Sequence, residues 1–341
     1  RIRETTPERI EIRIDYLIIK ILLKERKDTM GKTMTSGTGN LKKDLKKHLP
    51  FYIFLLPAII LVILFCYMPM EGLMIAFKDY RMARGIEGSD WVGLKHFQAL
   101  FTDPNFYRVL GNTLKISIFT LLTTFPVTII FTLLVNEILN SRFKSVVQTI
   151  TYMPHFLSWV VVGTFVYQLL SPTGGVVNAI LIRMGVLDKP IYFMAQKDMF
   201  LPIYLITNLW KSTGYSIVIY LATISGIDTS MYEAASIDGA NRFHRVLHIT
   251  LPAMFPTMCT MLILNIGSLI SVGFDPVFNL YNDATYQTAD VISTYVYRKG
   301  MVESRYDFST AIGLFQNVVS LALVIIANWF ARKANPEYKI I

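Results

Sequence analysis

The 341-residue sequence is 53% hydrophobic with glycine left out of that count, only 17% charged, and carries a formal net charge of +9. Soluble domains average roughly 25% charged residues, so a mean hydropathy of +0.44 sets aside an ordinary soluble enzyme in favour of a packed membrane domain. Two cysteines, Cys66 and Cys259, lie inside long apolar runs, which sets aside a disulfide scaffold and a cysteine-based zinc cluster.

In chain order, the first feature is Tyr16 to Leu23, YLIIKILL, eight residues with Lys20 among them. It is too short to cross a bilayer and lacks a small-residue cleavage site, so it reads as a cytoplasmic, surface-lying helix or a regulatory contact. Thr33 to Asn40, TMTSGTGN, reads as a flexible linker. A helix needs about 20 mainly apolar residues to cross a hydrocarbon core of roughly 30 Å. Six stretches qualify: 51–70, 113–135 with Lys115 near one end, 150–170, 201–224, 250–274 and 308–331. The expected fold class is therefore an all-α membrane protein of six transmembrane helices. A 1–50 segment precedes the 51–335 membrane domain, and a 336–341 tail follows it. The connecting loops 71–112, 171–200 and 275–307 are too small for independent domains, and WVGLKHFQALFTDPNFYRVL reads as short amphipathic helices on the membrane surface. No internal repeat supports an inverted-repeat carrier.

Six spans put both termini on one side of the membrane. That side holds 20 Lys and Arg against 11 in the opposite loops, with 12 acidic residues on each side. The balance is +8 against −1, and Lys115 and Lys211 lie within spans. Much of the excess, including LKKDLKKH, abuts the first span, so both termini are expected in the cytoplasm. The basic charge is topology, and no nucleic acid is implied.

Nucleotide and metal signatures fail on spacing. Gly31-Lys32-Thr33 has Arg26 where a phosphate-binding loop wants glycine, and Gly37 to Gly39 lacks the third glycine and the following helix. His244 and His248 share a helical face but have no third ligand in view. No Ser/His/Asp or paired-carboxylate constellation stands out, so a membrane enzyme has no support. An ion-coupled secondary carrier would need Lys211, His155 or Asp275 as a relay, and only Lys211 lies deep in a span.

Residues 231–254, MYEAASIDGANRFHRVLHITLPAM, carry Glu233, Ala234, Ala235, Gly239, Ile249, Leu251 and Pro252 at fixed spacing, with Asp238 beside the glycine. Alanines let a short helix enter a cleft, Gly239 permits a sharp turn, and Pro252 suits the first turn of the fifth span. This loop resembles the EAA loop of the membrane subunits of ABC importers. The likeness extends over roughly 50–335 through TYMPHFLSWVVVG, LLSPTGGVVNAIL and ADVISTYVYRKGM. It is similar to the oligosaccharide and polysaccharide branch of the maltose-type permeases, including those for uronate-containing carbohydrates; the first 40 or so residues are longer than that branch leads one to expect.

The resemblance implies a type I importer permease fold whose short loop helix is the coupling helix, with Glu233 its charged contact to an ATPase subunit. It implies a second, homologous permease subunit, two ATP-binding cassette subunits that hold ATP and Mg, and an external solute-binding protein. No cofactor is expected on this chain.

Polar groups inside spans face helix partners or a water-filled path. Span four supplies Asn208, Trp210, Lys211 and Tyr215, with Asn208, Lys211 and Tyr215 on one face by spacing. Span five adds Asn265, Ser268 and Ser271, and span six adds Gln316 and Asn317. Amides and aromatic rings suit carbohydrate better than a bare ion. For Asn265 and Gln316, packing between helices is an equal alternative, and Gly267 and the serines read as packing devices. Lys211 could favour an anionic sugar, pair with a partner-subunit carboxylate or reach an interface. His155 reads as a hydrogen-bonding residue at a helix end.

Overall fold

The computed structural model describes residues 41–334. Tyr16 to Leu23, the 33–40 linker and the tail lie outside the described residues. The chain divides after Glu71 into two compact units, a division inside the stretch read from sequence as one domain, 51–335.

In the first unit, α1 (Leu41–Val62) passes through a π turn at Ile63–Tyr67 and tightens to a 3-10 helix from Met68. The π turn carries the Met68 N–H to the Ile63 carbonyl, five residues back, just before Pro69. A proline has no N–H and its ring crowds the carbonyl four residues back; a widened turn relieves that clash without ending the helix. From His48 to Glu71 every side chain is exposed. A helix apolar on all sides and exposed along its length among the described residues is built for hydrocarbon or for another subunit.

The second unit begins with a hairpin ribbon, which corrects the all-α expectation. Antiparallel β1 (Lys78–Arg81) and β2 (Gly85–Trp91) pair Lys78 with Trp91 and Asp79 with Asp90. The Phe77 and Trp91 rings stack at 5.6 Å beside it. Then follow α2 (Lys95–Thr102), the 33-residue α3 (Pro104–Asn136), α4 (Ser141–Tyr152), α5 (Trp159–Leu169), α6 (Val176–Arg183) and α7 (Phe200–Ser225). Next come α8 (Thr229–Ile237), α9 (Arg242–Arg245) and α10 (Leu251–Gly267). The chain continues through α11 (Phe274–Phe278), α12 (Tyr286–Ala289), α13 (Ile292–Tyr297) and α14 (Tyr306–Ala334). Helix α3 packs along α7, and α10 along α14.

Several expected boundaries change. Of the surface-helix pair, only α2 is separate; the remainder is the start of α3, with Asp103 accepting the Asn105 N–H at 2.9 Å to cap it. The 150–170 stretch is not one straight helix. Helices α4 and α5 meet at a 98° bend across a 3-10 turn, Met153–Phe156. Four described helices are long and apolar enough to cross a bilayer, or five spans if the bent pair counts as one. Helix α7 has the length, but Asn208, Lys211, Ser212, Thr213 and Ser216 dilute its apolarity. The fifth stretch ends at Gly267 rather than 274.

Much of the 277–295 stretch, expected as loop, is core. Val277, Leu280, Ala289, Val291 and Tyr295 are buried, and Asp290 is 0% exposed. The Arg298 guanidinium meets the Asp290 carboxylate bidentately at 2.8 and 3.2 Å, and Arg108 of α3 lies 3.8 Å from it. Thr294 donates to the same carboxylate at 2.8 Å, and the Tyr286 ring lies under both guanidinium groups. The Tyr295 hydroxyl donates to Asp103.

Candidate functional site

Two regions hold the sequence-derived candidates. The first is a cavity of about 720 Å³ between α3, α7 and α10. Its wall carries Ser117, Thr120, Thr124 and Thr128 from α3, Asn208, Ser212, Tyr215 and Ser216 from α7, and Asn265, Ser268 and Ser271 from α10 and the turn after it. It includes no Asp, Glu, Lys, Arg or His. Many hydroxyls give their proton to the carbonyl one turn back, as Thr120 does to Ile116 at 2.7 Å and Ser212 to Asn208 at 2.5 Å. A hydroxyl engaged that way still presents lone pairs, so the wall can accept hydrogen bonds from a polyol. Asn208 also donates to Thr124 at 3.4 Å, tying α7 to α3.

Asn208, Tyr215, Asn265 and Ser268 thus share one wall, while Trp210, Lys211, Gln316 and Asn317 are not on it. The expected single face of Asn208, Lys211 and Tyr215 is corrected. Lys211 points past the cavity, toward the bend between α4 and α5. It is 6% exposed, and its Nζ donates to the carbonyls of Leu157 at 2.6 Å, His155 at 2.7 Å and Pro154 at 3.3 Å. The Trp159 ring lies 5.5 Å from the ammonium. The His155 imidazole stacks on Tyr215 at 4.0 Å and 5°. Trp210 is exposed, Gln316 half-buried and Asn317 exposed. Asp275 is exposed in the first turn of α11, so it forms no relay pair with Lys211. Gly267 packs against α14, where a Cβ would lie 2.2 Å from Val324 Cγ2.

The second region is the 228–252 loop. Asp228 caps α8 by accepting the Ser230 N–H at 2.9 Å, and that bond holds its carboxyl below the ordinary value. The helix ends in a left-handed turn at Gly239, φ +77°, closed by Ala240 N–H to Ala235 O at 2.8 Å and Gly239 N–H to Ser236 O at 3.2 Å. A side chain at that φ costs roughly 1–2 kcal/mol, which explains the residue. Asn241 then caps α9 through the His244 N–H at 2.8 Å. Arg245 to Ser236 at 2.9 Å and Tyr232 to Thr250 at 2.9 Å pin α8 against the following helix.

Glu233, Ala234, Asp238 and Gly239 are exposed, and Ala235, Ile249 and Leu251 half-buried. Ile237 and Phe243 are 88% and 71% exposed. Pro252 lies in the first turn of α10, as expected, but α10 continues an earlier helix. The helix runs unbroken from Arg242 to Gly267, and a π turn at Val246–Thr250, with the Leu251 N–H reaching Val246 O, absorbs the proline. The pinning residues Tyr232, Arg245 and Thr250 were not evident from sequence, because each belongs to a tertiary pair. Ser212 had a signal, one turn beyond Asn208.

Residues 124–339 match the family described as binding-protein-dependent transport system inner membrane component. The polygalacturonan/rhamnogalacturonan transport system permease protein YteP of Bacillus subtilis is 42% identical over 286 residues, covering 84% of this chain and 88% of its own. Protein LplB of the same organism is 38% identical over 305 residues, covering 89% and 95%. A crystal structure of a bacterial ABC transporter involved in the import of the acidic polysaccharide alginate superposes with a TM-score of 0.78 at 42% identity, covering 86% of this chain and 99% of that one. The same transporter type has been seen in complex with an alginate pentasaccharide-bound periplasmic protein. The family excludes the ion-coupled carrier considered from sequence. This chain belongs to the family of binding-protein-dependent transport system inner membrane components, as a permease of an ABC sugar importer.

Proposed function

We propose that the chain is one of two homologous permease subunits that together form the path for an oligo- or polysaccharide, including uronate-containing ones. Helix α7 supplies the sixth span, beside the four apolar helices and the bent α4–α5 pair, and both termini face the cytoplasm. Two ATP-binding cassette subunits hold ATP and Mg. The loop helix α8 docks into them, with Glu233 as its charged contact, Ile237 as its apolar one and Phe243 of α9 as a second apolar contact. An external binding protein delivers the sugar, ATP-driven closure of the cassettes turns the path outward, and hydrolysis resets it. Asn208, Tyr215, Asn265 and Ser268 contact the sugar.

Most weight rests on the 231–252 loop. It is a short, doubly pinned helix whose conspicuous apolar side chains have been left in solvent, as a surface made for a partner is. Glu233→Arg combined with Gly239→Val is expected to abolish ATP-dependent uptake and loosen the cassette subunits while the spans still insert. Retention of the cassettes at the wild-type ratio in that variant contradicts the proposal.

A further inference from the structure

The bend between α4 and α5 is held by one stretch of α7. A broken span exposes helix-end carbonyls, which cost several kcal/mol in hydrocarbon if left unpaired. Lys211 brings three ammonium donors to three of them, at Pro154, His155 and Leu157. Gly214 lets the backbones touch: a Cβ there would lie 1.9 Å from the Thr151 carbonyl oxygen. Tyr215 stacks on His155 on one side and lines the cavity on the other. Ser158 starts α5 afresh by accepting the Val161 N–H at 3.3 Å. Three residues within 211–215, Lys211, Gly214 and Tyr215, therefore hold the break by charge, contact and stacking.

From this geometry we propose that Lys211 is a positioning residue: its charge is committed to the backbone carbonyls of the bend, which it fixes so that His155, stacked behind Tyr215, holds that ring rigid in the cavity wall. It does not read the carboxylates of a solute. Three observations carry this. No carboxylate is paired with Lys211 among the described residues; its donors match the number of carbonyls; and it is buried on the side away from the cavity. The proposal rests on the cavity being the solute path. It follows that the described wall of this cavity meets an acidic sugar with hydroxyl and amide dipoles.

The test uses the whole importer reconstituted in liposomes, with Cys66 and Cys259 replaced by serine and spin labels at the exposed positions Val146 and Phe165, one on each side of the bend. Wild type and Lys211→Arg are expected to give one narrow inter-label distance. Lys211→Met is expected to broaden or shift it and to lower uronate-oligosaccharide uptake about tenfold, the scale of losing charge-assisted hydrogen bonds, through kcat with little change in KM. An unchanged distance together with a raised KM in Lys211→Met would overturn the proposal, since that is the behaviour of a solute-contacting charge. If the methionine variant does not accumulate, Lys211→Gln, a neutral head with two donors, carries the same test. Partial broadening supports the clasp, and a wild-type distance with lost uptake overturns it. Should wild type itself lack cassette subunits and uptake, the importer assignment fails, while the distance still reports on the bend.

Discussion

The 281–305 segment and the 228–252 loop both carry charged and aromatic residues between spans, yet they treat them in opposite ways. In the first, Asp290 is enclosed by Arg298, Arg108 and Thr294, and Tyr295 by Asp103 and Phe308. In the second, Glu233 and Ile237 of α8 and Phe243 of α9 stand in solvent on helices that are themselves pinned together. A chain that closes its charges on itself is building a scaffold. One that fixes a backbone and leaves its side chains open is building a contact.

Substitutions in the two regions should therefore separate stability from coupling. The largest stability effect is expected for Asp290→Asn, which strands two guanidinium groups and should cost about 3–5 kcal/mol, measured by denaturation in detergent. Gly214→Ala comes next: with Cβ 1.9 Å from a backbone oxygen, α7 and α4 must separate, at a cost of ~1–3 kcal/mol and with loss of the His155–Tyr215 stack.

Tyr295→Phe is smaller, about 1–2 kcal/mol for leaving Asp103 short of a donor, and it has a pH signature. Burial opposes ionisation of Asp103, but the Tyr295 and Asn105 hydrogen bonds and the Lys299 charge outweigh it and hold its carboxyl below the ordinary 3.8. That contribution is present above the unfolded value and lost as pH falls through the folded one. Burial and the Asp103 contact raise Tyr295 above 10.0, so its contribution is complete below 10.0 and lost as pH rises past it. Stability plotted against pH should flatten on both limbs in the phenylalanine variant. The smallest stability effect, within about 0.5 kcal/mol, is expected for Ile237→Glu, although it should uncouple transport. A large loss of stability there would erase the contrast between the regions.

The loop was legible in the sequence because its pattern is local: a capped helix, a left-handed glycine and a proline-bearing helix recur at fixed spacing. Four long apolar helices were legible for the same reason. The bend at Pro154 was not, since an uninterrupted apolar run conceals a break whose carbonyls are satisfied from another helix. Lys211 illustrates the consequence. By spacing it belongs with Asn208 and Tyr215, and only its partners, 54 to 57 residues away in sequence, show that it faces elsewhere. The burial within 275–307 was missed because its apolar residues, Val277, Leu280, Val291 and Ile292, are scattered among Tyr, Arg and Asp, which read as surface until their pairings are seen.

The central claim, that the 231–252 loop is where ATP-driven motion enters this chain, is open to one direct measurement. Ile237→Cys, in a chain whose Cys66 and Cys259 have been replaced by serine, is cross-linked in membranes containing the whole importer. The expected result is a product with a cassette subunit whose yield changes between ATP-bound and nucleotide-free conditions. Absence of any such product, with uptake intact before cross-linking, would contradict the account.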